Sequence, residues 1–185
     1  MNVTDLLLGQ KNQDAISQLA RKLGVTEEQA RILVAEVTPT LSRGMERRAD
    51  QQGGYGNLVD ALNSGNHSRY LDNPDLLTRE ETVEDGNAIL GHIFGSKEVS
   101  RNVARQAEQD TGITSALVKK ALPVIATMVM GTLSKQIFGS GTAAPATASA
   151  STSQGGGLLT SLLDSDRDGS VIDDVLGMAF KMAFR

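Results

Sequence analysis

Apolar residues recur at helical spacing along most of the chain, and the order in which they recur predicts the elements. Ile16, Leu19, Ala20 and Leu23 form one stripe. After Gly24 and Val25, Thr26 stands where a helix N-cap belongs, with Glu27 and Glu28 in the first turn, where the helix dipole favours negative charge. The next stripe is Ala30, Leu33, Val34, Val37, Leu41 and Met45, with Pro39 expected to bend or break it. A short helix is expected around Leu58 to Leu62, and a polar loop from Asn63 to Pro74. Gly86 to Gly95 is apolar nearly all round, which predicts a central, buried helix.

Ser96 then caps a helix carrying Val99, Val103, Ala104 and Ala107 that ends near Gly112. Thr114 opens the last long stretch, with Val118, Leu122, Ile125, Val129, Leu133 and Ile137 on one face and Pro123 as a kink or a fresh start. No strand pair or hairpin turn is predicted. The triplets Gly24-Val25-Thr26 and Gly112-Ile113-Thr114 echo each other, and two independent uses of one helix-turn-helix punctuation account for them more simply than duplication. Residues 139–157 are dominated by Gly, Ser, Thr and Ala, the composition of a flexible linker. The expectation is an all-α protein: a compact multi-helix domain over residues 1–138, a linker over 139–157, and a tail over 158–185 with an Asp-rich loop and an apolar helix.

Composition narrows the chemistry. With 185 residues the chain is long enough to bury one core. It has no Cys and no Trp, and the lack of Cys excludes disulfides, zinc thiolates and thiol nucleophiles. A net charge of −4 gives no bulk attraction to nucleic acid or anionic membrane. The N-terminus lacks a basic signal region, and the apolar run Ala121 to Leu133 is shorter than the roughly 20 residues of a bilayer span. A buried helix in a cytoplasmic protein is the reading that fits.

Three motifs invite sharper readings. Asp164, Asp166 and Asp168, followed by Gly169 and Ser170, match the first positions of an EF-hand calcium loop. Alternate oxygens converge there while the glycine turns the chain. Val175 stands where the bidentate acid belongs, so a tighter loop would have to recruit Asp174. The competing reading is a cap and turn, with Ser170 capping the last helix and Asp173 at its third position. Both stay open, and Ca2+ is the one cofactor in prospect. Second, residues 16–34 carry a helix-turn-helix pattern. Glu27 and Glu28 would repel phosphates at the reading end, and only Arg31 is placed to help, so nucleic acid is a weak partner. Third, His92 among Ile89, Ile93 and Phe94 reads as a hydrogen-bonded core histidine, with no thiol or fixed acid to make it catalytic. His67 sits in a loop beside Ser64, Ser68 and Tyr70, too loose to define a site.

The tail helix sets Val171, Val175, Met178 and Met182 on one side and Ile172, Leu176, Ala179 and Phe180 on another. That much apolar surface calls for a protein partner or self-association. With Lys181 and Arg185 its only cations, a membrane ranks last.

Two segments, Asp85 to Val99 and Leu122 to Gly131, resemble signature stretches of the YidB-like family of bacterial proteins, a domain of unknown function. Leu6-Leu7-Leu8, Arg69-Tyr70-Leu71-Asp72 and the tail from Gly156 to Val171 resemble it too. The resemblance implies a helical, partly homeodomain-like fold in a cytoplasmic bacterial protein, with no catalytic residues to carry over. A homeodomain-like fold accounts for the helix-turn-helix pattern without DNA binding. The leading functional expectation is a non-enzymatic interaction or scaffold module. Calcium-responsive regulation through residues 164–174 and DNA binding through 16–34 are the alternatives.

Overall fold

The computed structural model describes residues 2–51, 61–62 and 65–138, and within them every regular element is helical. They are α1 (Val3–Leu8), α2 (Gln13–Leu23), α3 (Glu27–Gln51), α4 (Arg69–Asp72), α5 (Glu80–Phe94), α6 (Lys97–Thr111) and α7 (Ser115–Phe138), with 3-10 turns at Gln10–Asn12 and Pro74–Thr78. The linker and tail readings, and most of the short helix expected around Leu58, fall outside the described residues.

Local chemistry sets the starts and stops. Asn2 and Asp5 make a reciprocal capping box at α1, an element that the leucine run alone did not predict. The α2–α3 corner behaves as expected. Gly24 takes the left-handed conformation at φ 69°, where an L side chain would be strained, and the Val25 amide bonds back to the Ala20 carbonyl. Thr26 and Gln29 then exchange backbone-to-side-chain bonds of 3.2 Å. Gly112 repeats the left-handed stop at φ 70°.

Neither proline breaks its helix: α3 runs through Pro39 and α7 through Pro123. Each proline removes one bond to the carbonyl four residues earlier. Those carbonyls belong to Ala35 and Lys119, both exposed, where water can take the vacated place.

The centre of the fold is α7, not the 86–95 helix. Every residue from 121 to 134 is buried, and α7 packs against each of the other six helices. The 86–95 stretch instead lies with one face inward: Gly86, Ile89, Leu90 and Ile93 are buried, whereas Asn87, Ala88, Gly91 and His92 face solvent. His92 is therefore a surface residue, and the core-histidine reading is corrected. Length and mean hydropathy (1.5) would let α7 cross a membrane, yet 78% of its apolar window is buried inside the protein. Around it, the expected stripes of α2 and α3 are buried in full. Each fully buried Leu, Ile or Val contributes on the order of 2 kcal/mol.

Close approach to α7 depends on two glycines. A Cβ at Gly86 would run into the backbone carbonyl of Pro123, and one at Gly131 would sit 2.7 Å from the His67 carbonyl oxygen. The first contact joins the two signature segments directly; the second brings α7 against the loop that precedes α4.

Candidate functional site

Asp164, Asp166, Asp168, Ser170 and Asp174 lie outside the described residues, so the calcium loop has no geometry to report. Among the described residues no group of three or more His, Cys, Asp or Glu side chains is placed to hold a metal. In the helix-turn-helix segment, the reading end of α3 is engaged within the protein. Ser17 donates a hydrogen bond to Glu27, and the Arg31 guanidinium donates to the Leu8 carbonyl at 3.2 Å. Those contacts weigh against base readout there.

A dense polar cluster lies where α4 meets α5. The stretch expected as a polar loop contains a helical turn with Tyr70 and Leu71 buried, because the chain reverses through Asn66 at φ 43° and the Ser68 carbonyl accepts from both Leu71 and Asp72. Tyr70 donates its hydroxyl proton to Asp85 Oδ2, and Arg69 reaches the same oxygen at 2.9 Å and the Tyr70 oxygen at 2.8 Å. The guanidinium also lies 4.8 Å over the Tyr70 ring. His67 stacks beside that ring at 6.5 Å and is buried, with Nδ1 lacking a hydrogen-bond partner.

Electrostatics keep this cluster in one protonation state near neutrality. Burial pushes the Tyr70 hydroxyl upward, and its hydrogen bond to Asp85 adds to that. Burial pulls His67 downward, so its ring is neutral; Asp85 opposes the shift and Arg69 reinforces it. Arg69 is held more firmly charged, first by its bond to Tyr70. A neutral phenol and a carboxylate shared by Tyr70 and Arg69 make a latch between α4 and α5, with the neutral His67 ring stacked outside those bonds.

Beside the latch a surface cleft of about 540 Å³ opens at the C-terminal end of α7. Leu62, Asn66, Ser68, Asp72, Ser134, Lys135 and Phe138 line it. Ser134 donates to the Leu62 carbonyl at 3.1 Å, which fixes the inner wall. Lys135 and Asp72 pair at 2.7 Å on the rim, both well exposed. Phe138 is 42% exposed, an uncommon state for a large aromatic. A second, smaller groove of about 260 Å³ separates α3 from α6, where Glu36 and Asp110 face one another as a carboxyl pair.

Sequence reasoning missed the latch because Asp85 stands 15 residues from Tyr70, beyond the reach of any local pattern. The available signal was an Arg-Tyr pair, one of two tyrosines in the chain, inside an otherwise polar stretch. It also weighted the wrong histidine: His67 is buried and His92 exposed. The described signature stretches now have physical reasons. Arg69, Tyr70 and Asp85 form the latch, and Gly86, Pro123 and Gly131 form the close helix contacts.

No match is found among curated proteins or among solved structures. A family model described as bacterial protein of unknown function (DUF937) matches residues 5–136, from the middle of α1 almost to the end of α7. The YidB-like resemblance falls within that family. This chain therefore belongs to the DUF937 family of bacterial proteins of unknown function.

Proposed function

We propose that this protein is a non-enzymatic interaction module of the bacterial cytoplasm, in which the apolar face of residues 171–185 engages a protein partner. The observation that supports this reading best is the cleft at the root of the linker. Its exposed aromatic, its amide and hydroxyl groups and its self-neutralised ion pair suit a peptide better than a reaction. Arg69, Tyr70 and Asp85 beside it are already committed to the latch.

The test is light scattering and partner capture with the full chain and with a Val175→Asp/Met178→Asp chain. The expected result is that the full chain self-associates or holds a partner and that the substitutions reduce this at least tenfold, about 1.4 kcal/mol. A full chain that is monomeric and captures nothing defeats the proposal.

A second reading, calcium binding, draws on the spacing of Asp164, Asp166, Asp168 and Gly169. Titration calorimetry with calcium chloride should then give heat that Asp166→Ala abolishes; equal heat from both chains disposes of it.

A further inference from the structure

The cleft at the end of α7 has an occupant close at hand in the sequence. Phe138 lines the cleft, and residue 139 follows it directly in the chain. The 19 residues of 139–157 carry no charge and no large apolar side chain, so they offer the cleft nothing to bind. A linker of that length and composition has a root-mean-square span of about 24 Å. Directly after it come Leu158-Leu159-Thr160-Ser161-Leu162-Leu163. The four leucines of this segment are spaced i, i+1, i+4 and i+5, which places them on one face of a helical turn.

We infer that Leu158 to Leu163 of the same chain seat in the cleft beside Phe138, closing the linker into a loop and anchoring the tail to the domain. This rests on the interaction reading above and deepens it: the first part of the tail anchors, leaving residues 171–185 for the partner. The cleft suits this segment in both respects that matter. Phe138, 42% exposed, gives apolar contact for the leucine face, while Thr160 and Ser161 fall on the opposite side of such a turn. The rim is neutral because Lys135 and Asp72 satisfy one another, which matches a segment without charge. Tethering supplies an effective concentration on the order of millimolar, so even a weak contact is occupied. Asp164 comes next after Leu163, so seating these leucines brings the Asp-rich loop to the rim as well.

The chain has no Trp, so Phe138→Trp in the full chain gives one reporter in the cleft. The emission is expected to be blue-shifted and shielded from acrylamide, and Leu159→Asp/Leu162→Asp should shift it to the red and expose it. The two spectra should also be unaffected by dilution. Identical spectra with and without the aspartates overturn the inference. A blue shift that vanishes on dilution also overturns it, because a second copy is then the occupant. Amide exchange at residues 134–138, in chains that keep Phe138, reads the same contact: faster exchange in Leu159→Asp/Leu162→Asp supports it and unchanged exchange defeats it. Partner capture separates the two readings. Capture that persists while the reporter shows an empty cleft overturns the anchoring alone. An occupied cleft in a chain that captures nothing overturns the interaction reading alone.

Discussion

Gly86 and Gly91 lie five residues apart on α5, and their surroundings make opposite demands. A Cβ at Gly86 meets the Pro123 backbone, which cannot swing aside as a side chain can, whereas nothing lies within 4 Å of a Cβ at Gly91. Gly86→Ala is expected to destabilise by about 1–3 kcal/mol through overpacking. Gly91→Ala should stabilise by roughly 0.5–1 kcal/mol, since an exposed mid-helix glycine only costs helix propensity. Chemical denaturation of the two variants checks both signs; a neutral Gly86→Ala would mean that α5 and α7 are not pressed together there. His67 gives the residue-scale pH dependence. Its folded value lies below the ordinary 6.5, chiefly through burial. At pH above 6.5 both states are neutral and the contribution is complete. As pH falls below 6.5 the unfolded chain takes up a proton that the folded chain refuses, so stability declines until the folded value is reached. Unfolding free energy measured across that window should fall less steeply for His67→Gln, and parallel curves would remove the argument.

Helix pairs, more than single helices, carry the element-scale behaviour. The α2 face is tied to the Pro74–Thr78 turn by Gln18 to Asp75 at 2.6 Å and by Lys22 to the carbonyls of Thr78 and Arg79 at 2.9 and 3.0 Å. The α3–α6 pair contains a built-in opposition. Burial raises Glu36, and the facing Asp110 carboxyl raises it further. A carboxyl whose folded value is raised loses stability as it ionises, so Glu36→Gln should stabilise at pH 7 by about 0.5 kcal/mol, the scale of a like-charge pair. That advantage should fade as pH drops through the raised value towards the ordinary 4.5. Denaturation at pH 7 and at about pH 4.5 tests this; an advantage that grows in acid would contradict it. The caps at Asn2, Thr26 and Ser96 were each open to a sequence argument, since a cap needs only neighbours three residues away, and the first was missed for want of a long apolar pattern behind it.

The whole molecule is arranged around α7. Ile125 is fully buried midway along it, so Ile125→Ala should cost about 2–5 kcal/mol by leaving a cavity. A loss under about 1 kcal/mol in equilibrium unfolding would show that α7 is not the hub. Sequence by itself determined the helical class, the inward stripes of α2, α3 and α7, the turns at Gly24 and Gly112, and the family membership. Those depend on spacings of a few residues or on long contiguous signatures. Only the tertiary structure decided which apolar helix lies at the centre. Periodicity measures how apolar a face is, but α5 and α7 both score as apolar, and burial is settled by how many neighbours surround each one. It also decided that His67 rather than His92 is buried, and that Arg69 and Tyr70 converge on one oxygen of Asp85. Contacts across such distances in sequence exist only once the chain has closed its loops around α7. The cleft beside Phe138 belongs to the same class: its walls come from residues up to 76 positions apart, Leu62 and Phe138, and no local pattern encodes their meeting.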